Sequence, residues 1–162
     1  DHLVRPTDVN GINKVAGEYY HLVYNNVFGV RACSLRLTNV YGPRQLIRHN
    51  RQGFIGWFVR LALDGGEIQV NGDVFNVGGD EPTTHADLVR LLVELSGRGT
   101  CRFVEWPPEK KAIDIGSFYA DSSRFRARTG WSPQVRLRDG LANTLAYYRA
   151  HYAAYVDEAG SA

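Results

Sequence analysis

The sequence has few of the residues that build metal centres and disulfide frameworks. It contains two cysteines, Cys33 and Cys101, and no methionine among its 162 residues. Two isolated cysteines match neither a spaced zinc motif nor a disulfide scaffold, so free thiols are expected. His85 and His151 lie on predicted helix surfaces without partners at metal-ligand spacing, and no metal site is expected. Because methionine is absent, Asp1 need not be the natural start.

The sequence also lacks an excess of charge of one sign and long apolar runs. It has 19 Lys plus Arg against 17 Asp plus Glu, a formal net charge of +2. A dedicated nucleic-acid binder is expected to be clearly basic. No run approaches the roughly 20 apolar residues of a membrane span, and no signal-peptide pattern is present. We therefore expect a soluble, cytoplasmic protein that binds neither nucleic acid nor membrane.

What remains is the composition of an ordinary globular domain, or of a large piece of a longer protein. Hydrophobic residues make up 44% and aromatic residues 12% of the chain, which argues against disorder. Apolar periodicity predicts helices near residues 10–26, 54–63 and 137–155, and strands near 30–37, 67–70, 74–77 and 101–106. Two more helices are predicted from their ends: one starts with capping-box-like spacing at Thr84-His85-Ala86-Asp87 and ends at Gly97, and a short one is capped by Asp121, Ser122 or Ser123 and ends at Gly130. Gly29 is the expected end of the first helix. Alternating helices and strands favour an α/β layer structure.

Three segments occur together in an order that is typical of one family. They are NGINKVAGE at residues 10–18, LRLTNVYGPR at residues 35–44 and VFNVGG at residues 74–79. They resemble the Tyr-x-x-x-Lys helix, the following strand-to-loop motif and the later FN-GG strand of the extended short-chain dehydrogenases. Further matches follow in the family's order at Asp114, Ala120, Asp121, Ser123, Gly130-Trp131 and Pro133. The chain thus resembles the C-terminal half of the NAD-dependent nucleotide-sugar epimerases, dehydratases and decarboxylases.

The resemblance implies a fold, an activity and partners. Residues 1–66 would form the C-terminal part of a dinucleotide-binding Rossmann domain, and residues 67–162 a small α/β subdomain that binds a nucleotide-sugar. The implied enzyme is an isomerase or lyase that uses NAD to oxidise C4 of a nucleoside-diphosphate sugar transiently. The family usually forms dimers through the helix that contains Lys14, so a homodimer is expected.

The resemblance also assigns roles to residues near the cofactor. In the family, the lysine at Lys14 binds the nicotinamide ribose and lowers the pKa of a neighbouring catalytic tyrosine. The alternative is a surface lysine paired with Glu18 at i,i+4. Val40 would approach the nicotinamide, and Asn39 would contact the sugar or diphosphate at the end of a strand. The alternative for Asn39 is a residue that merely opens a turn.

Two basic residues are candidates for contact with the substrate. Arg44 begins a basic loop, and a guanidinium can bind a diphosphate through two hydrogen bonds. The same loop would also suit a nucleic-acid backbone or remain a solvated surface. Lys111 stands where the family often has an arginine that clamps phosphate or ribose, and it would act there as a point charge.

The position of the family's catalytic tyrosine holds Asn10. A carboxamide has no proton that titrates near neutral pH, so Asn10 cannot be the general base. It could donate a hydrogen bond to a sugar hydroxyl, or it could be the N-cap of the helix. The alternative function is therefore a non-catalytic relative that binds a nucleotide-sugar. Tyr19, Tyr20 and Tyr24 on the same helix are expected to pack.

Two further parts of the family pattern are absent. No glycine-rich loop follows a strand, so the chain lacks the usual cradle for the dinucleotide phosphates. A helix-bearing segment of the family is also absent, because Gly72-Asp73 runs directly into Val74, and a break is expected there. The alternative is a continuous β-hairpin, since Asn71-Gly72 is a strong type I′ turn signal.

Overall fold

The structure is a computed structural model that describes residues 4, 6–51, 53–71, 82–105 and 121–156. The elements within these residues are α1 (Val9–Phe28), α2 (Phe54–Asp64), β1 (Glu67–Asn71), α3 (His85–Ser96), β2 (Thr100–Val104), α4 (Ser123–Thr129) and α5 (Leu137–Tyr155). The chain divides into two compact units, residues 1–37 with 107–115 and residues 38–106 with 116–162. The domain boundary between residues 66 and 67 stays a prediction.

The first unit is built on α1, which confirms the helix predicted near residues 10–26. The helix begins after Asp8, whose carboxylate accepts a hydrogen bond of 2.6 Å from the Gly11 amide. It ends at Gly29, whose backbone has a φ of 67° and donates its amide to the Tyr24 carbonyl. Glycine adopts this left-handed conformation without strain, as helix ends often require. No residue of α1 is buried.

The predicted strand at 30–37 is wrong. The segment is irregular and pairs with no strand among the described residues. Its alternating pattern suits a strand, but a strand exists only where a neighbouring strand completes its backbone hydrogen bonds. Side chains connect the segment to α1 instead: Arg36 bonds to Glu18, and His21 lies 2.9 Å from Ser34.

The second unit contains a two-stranded parallel sheet. β1 pairs with β2 from Glu67–Thr100 through Asn71–Val104, which confirms both predicted strands. Ile68 and Val70 of β1 are buried against residues of the flanking helices, Ala62 of α2 and Val89 of α3. Period-two alternation thus places one face of β1 in the core.

The larger core of the second unit joins α2, α3 and α5. Its buried residues are Ile47, Ile55, Val59, Leu63, Leu88, Leu92, Leu141, Leu145 and Tyr148. The predicted start of α3 is confirmed, because the Thr84 hydroxyl accepts a 2.9 Å hydrogen bond from the Asp87 amide. The short helix α4 also ends as predicted, with Gly130 in the left-handed conformation at a φ of 69°.

Three predictions lie outside the described residues. These are the strand at 74–77, the junction between Asp73 and Val74, and the role of Lys111. The break and the hairpin at the junction therefore both stay predictions. In the described part of the chain, no helix is long and apolar enough to cross a membrane.

Candidate functional site

Lys14 lies on the exposed surface of α1. Glu18, the partner considered for it, instead accepts two hydrogen bonds of 2.8 Å from the Arg36 guanidinium. These hydrogen bonds hold the pKa of Glu18 below its usual range. The pairing of Lys14 with Glu18 is therefore wrong, because a planar guanidinium binds a carboxylate through two parallel bonds and an ammonium cannot. Among the described residues, no hydrogen bond or ion pair of the Lys14 ammonium is found, and the role of Lys14 at the nicotinamide ribose stays a prediction.

Asn10 is the second residue of α1 and is exposed. The interpretation of Asn10 as the N-cap is wrong, because Asp8 holds that position. A cap must have extended backbone, and Asp8 has it, with φ −145° and ψ 169°, whereas Asn10 already lies within the helix. The hydrogen bond from Asn10 to a sugar hydroxyl stays a prediction.

The tyrosines of α1 are not buried by the described residues, although the Tyr24 ring lies 5.2 Å from that of Phe28. Tyr19, Tyr20 and Tyr24 are 64%, 66% and 51% exposed. The error has a physical cause: periodicity identifies an apolar face, but it does not say whether the same chain supplies the surface that covers it.

Asn39, Val40 and Arg44 lie together in one loop of the second unit, and all three are exposed. The chain turns at Pro43-Arg44, after Asn39. Arg44 has a φ of 70°, and it is the only non-glycine residue with positive φ in the described structure. Strained backbone of this kind concentrates at ligand-binding positions. The amide of the Gln45 side chain donates a 3.0 Å hydrogen bond to the Val40 carbonyl, which connects the two arms of the loop.

Two tyrosines connect this loop to α5. The Tyr41 hydroxyl donates to the Leu137 carbonyl at 3.3 Å. The Tyr148 hydroxyl lies 2.7 Å from the Gln45 carbonyl and 3.2 Å from that of Gly42. Burial raises the pKa of both tyrosines, so both hydroxyls keep their protons and donate.

Sequence reasoning missed these anchors. Tyr148 lies within the predicted last helix and Tyr41 within the LRLTNVYGPR segment, and neither pattern was interpreted as a contact between the loop and α5. A usable signal was present, because a tyrosine within a stripe of leucines carries a hydroxyl that needs a partner once it is buried.

The rest of the basic loop has neighbours of its own. The Arg51 amide donates to the His49 ring at 3.3 Å, while the Arg48 and Arg51 side chains are exposed. Among the described residues, no group of three or more His, Cys, Asp or Glu side chains could hold a metal ion. Both cysteines are free, as expected.

Known proteins resemble this chain in sequence and in fold. The sequence model of the NAD dependent epimerase/dehydratase family matches residues 1–78. The chain is 28% identical to dTDP-glucose 4,6-dehydratase of Streptomyces griseus, over 93% of this chain and 53% of the dehydratase. The structure resembles UDP-glucose 4-epimerase of Thermotoga maritima with UDP-glucose, at a TM-score of 0.75 and 25% identity over 88% of this chain and 53% of the epimerase. The structure also resembles UDP-glucose 4-epimerase of Thermus thermophilus, solved with NAD. The TM-score is 0.74, and the identity is 25% over 90% of this chain and 55% of the epimerase.

These likenesses show that the chain has the fold of about half of a Rossmann-type epimerase or dehydratase. The chain resembles the NAD dependent epimerase/dehydratase family over residues 1–78, and its relatives include a dTDP-glucose 4,6-dehydratase and a UDP-glucose 4-epimerase. It spans about half the length of the relatives that it matches.

Proposed function

We propose that this chain is the C-terminal, substrate-binding part of an NAD-dependent nucleotide-sugar epimerase, dehydratase or decarboxylase. The enzyme would act through transient oxidation of the sugar at C4. The observation that carries the proposal is the loop with Asn39, Val40 and Arg44, which is fixed to α5 and presents all three side chains to solvent. The similar proteins carry names that include dTDP-glucose and UDP-glucose, and we take such sugars as the substrate class.

The loop offers the donors that a nucleoside diphosphate needs. The Arg44 guanidinium can donate two parallel hydrogen bonds to a phosphate group. The Asn39 carboxamide can both donate to and accept from sugar hydroxyls or phosphate oxygens. Lys111 would add a point charge near the phosphates or the ribose.

On the cofactor side, each of two residues carries a group that suits one part of NAD. The exposed Lys14 ammonium has three donors, which suits the hydroxyls of the nicotinamide ribose, and Val40 offers an apolar contact to the ring. A bound NAD would supply hydride-transfer chemistry at the sugar C4, and the residues named here would hold its nicotinamide end. The glycine-rich phosphate cradle of the family has no counterpart in the 162 residues, so we assign it to protein outside this sequence.

Asn10 stands where the family has its catalytic tyrosine, and this favours a second function, which is binding of a nucleotide-sugar without catalysis. A carboxamide cannot take the proton of the C4 hydroxyl, although it can hold that hydroxyl through a hydrogen bond. If no other group supplies the base, the protein binds a nucleotide-sugar without converting it.

Assays of the full-length protein separate these functions. NAD reduction and product formation are followed with a panel of nucleotide-sugars that includes UDP-glucose and dTDP-glucose. Lys14→Ala should lower turnover strongly, while Asn13→Ala, on the same helix, serves as the matched control. Turnover that survives Lys14→Ala unchanged would contradict the assigned role. Binding without turnover by the unaltered protein would establish the non-catalytic function.

Asn10→Tyr tests the position of the missing base. We expect this change to alter turnover more than any other substitution in α1 except those at Lys14. If position 10 has no contact with substrate, turnover stays unchanged and the variant shows only altered helix stability.

We further propose that a helix-bearing segment is missing between Asp73 and Val74. The alignment with the Streptomyces dehydratase runs over 181 positions, yet 93% of this chain is about 151 residues. About 30 positions therefore hold residues of the relative and none of this chain, although their location is open. An experimental structure with Cα atoms about 3.8 Å apart at this junction and an antiparallel ladder around it would establish the hairpin instead.

We also propose a homodimer formed through α1. The helix exposes much apolar surface, with Leu22 54% and Val23 49% exposed. Light scattering on the intact protein should give the mass of a dimer, and Leu22→Lys should lower it. A strict monomer at high concentration would contradict this proposal. The free thiols of Cys33 and Cys101 fit a reducing compartment, and we place the protein in the cytoplasm.

A further inference from the structure

We call the loop that carries Asn39, Val40 and Arg44 the substrate loop. Arg44, its strained residue, has a hydrogen-bonded backbone carbonyl on each side of it. Arg44 has a φ of 70°, a conformation that costs free energy for a residue with a Cβ and persists only where the surroundings enforce it. The Tyr148 hydroxyl contacts the carbonyl of Gln45, one residue after Arg44, and the carbonyl of Gly42, two residues before it. One buried hydroxyl, that of Tyr148, thus contacts the backbone on both sides of Arg44.

Tyr148 is itself held rigidly. Its side chain is 1% exposed, and its ring contacts those of Tyr147 and Tyr155 edge-on, with centroids 5.3 Å and 5.0 Å apart. The residue belongs to the core that joins α2, α3 and α5. A buried aromatic ring with few rotamers gives the hydroxyl a fixed position.

The same loop has a second contact with α5. The Tyr41 hydroxyl lies so close to Gly140 that a Cβ there would be 2.6 Å from it, which is closer than real Cβ atoms approach. The absence of a side chain at position 140 lets the Tyr41 hydroxyl reach the Leu137 carbonyl. Ile47, fully buried, fixes the end of the loop. Tyr41 and Ile47 fix the two sides of the loop independently of Tyr148. The hydrogen bonds of Tyr148 therefore affect mainly the backbone conformation of the turn at Arg44.

We propose that Tyr148 is a positioning residue, whose buried hydroxyl keeps Arg44 in the left-handed conformation that presents its guanidinium to a nucleoside diphosphate. The inference rests on the proposed function for the identity of the ligand. Tyr148 does not touch the ligand, and it acts through the backbone of Arg44.

The first test compares two changes that each remove one hydroxyl from α5. Tyr148→Phe removes the bonds to the loop, whereas Tyr152→Phe removes a bond to Asp64 of α2 and leaves the loop untouched. Calorimetry measures the Kd for UDP and for dTDP. We expect Tyr148→Phe to raise Kd about tenfold, which corresponds to the loss of one hydrogen bond. Tyr152→Phe should leave Kd within about twofold of that of the unaltered chain. Equal effects of the two changes would overturn the inference.

The second test is a double-mutant cycle with Arg44→Gly. Glycine adopts positive φ without strain, but it has no guanidinium, so binding should weaken in this variant. In that background, Tyr148→Phe should have no further effect on Kd. A loss of affinity as large as in the Arg44 background would show that Tyr148 acts on general stability, and would overturn the positioning role.

The third test needs no ligand. Hydrogen exchange measured on peptides that span residues 40–47 should be faster in Tyr148→Phe than in the unaltered chain or in Tyr152→Phe. If the unaltered chain binds neither nucleotide, the proposed function fails, while faster exchange still supports the hold of Tyr148 on the loop. Unchanged exchange overturns that hold whatever the nucleotides do.

Discussion

The two units of this chain differ in what they bury. α1 in the first unit has 20 residues and none of them is buried, although Leu22, Val23 and Val27 are apolar. α5 in the second unit has 19 residues and buries Leu141, Leu145 and Tyr148 almost completely. Two helices of nearly equal length thus contribute very differently to the core.

This difference in burial shows which unit gains stability from the described residues of this chain. Full burial of a Val or Leu side chain contributes about 1.5–3 kcal/mol, and α1 obtains little of it from the described residues. The second unit obtains it from its own helices and sheet. Among the described residues, the second unit therefore has most of the apolar burial that stabilises a fold, and α1 has little.

The largest expected effect comes from truncation in the core of the second unit. Leu145→Ala should lower the free energy of unfolding by about 2–5 kcal/mol, because it leaves a cavity in a fully buried site. Leu22→Ala, in α1, is the matched control and should cost no more than about 0.5 kcal/mol. Urea denaturation followed by far-ultraviolet circular dichroism, which reports on the helices of both units, measures both. Equal costs would remove the distinction between the units.

Alkaline pH should selectively weaken the second unit. The hydrogen bond with the Tyr147 hydroxyl raises the pKa of Tyr155 to about 12, and burial raises that of Tyr148. An unfolded tyrosine loses its proton near pH 10, so above that pH the folded state binds more protons than the unfolded state. Stability is therefore complete below about pH 10 and falls as the pH rises toward about 12.

The same denaturation measured between neutral pH and pH 12 checks this expectation. Tyr155→Phe should make the decline shallower. A stability that does not change across this range would show that the tyrosines titrate alike in the folded and unfolded states.

The helix caps give a smaller effect in each unit. Asp8→Ala should destabilise α1 by about 1 kcal/mol, because it leaves the Gly11 amide without its acceptor. Thr84→Ala should do the same to α3 in the second unit. Hydrogen exchange should locate each loss in its own helix, and Asn10→Ala should leave the cap intact. An effect of Asn10→Ala as large as that of Asp8→Ala would restore Asn10 as the cap.

The smallest expected effect concerns the pair between Glu18 and Arg36. The pKa of Glu18 is held below its ordinary value of 4.5, so the pair stabilises the first unit above that pH and is lost as the pH falls below it. The pair is largely solvent-exposed, which limits its contribution to about 0.2–1 kcal/mol. Glu18→Gln should remove the acid dependence of hydrogen exchange at residues 29–37. If that dependence survives, another group causes it.

Local features of the sequence predicted most helices and two of the strands. The caps at Thr84, Gly29 and Gly130 depend on residues within one turn, and the structure confirms all three. The segment at 30–37 was predicted wrongly because a strand depends on a partner elsewhere in the fold. Asp8 was missed as a cap because the motif directed attention to Asn10.

The candidate site divides in the same way. The motif around Asn39 and Arg44 was visible in the sequence, because it is contiguous. The hold of Tyr148 on that loop was not, because Tyr148 is more than 100 residues distant in the chain. Periodicity reports which side chains face the core, but it does not report where a buried hydroxyl finds its acceptor.

We propose, as the central claim, that this chain carries the substrate-binding loop with Asn39 and Arg44 and only a part of the cofactor site. Calorimetric titration of the 162-residue chain with UDP, dTDP and NAD tests it most directly. We expect UDP or dTDP to bind to the chain, and Arg44→Ala to weaken that binding. NAD should not bind at the same concentrations. Binding of NAD together with no response to UDP or dTDP would contradict it.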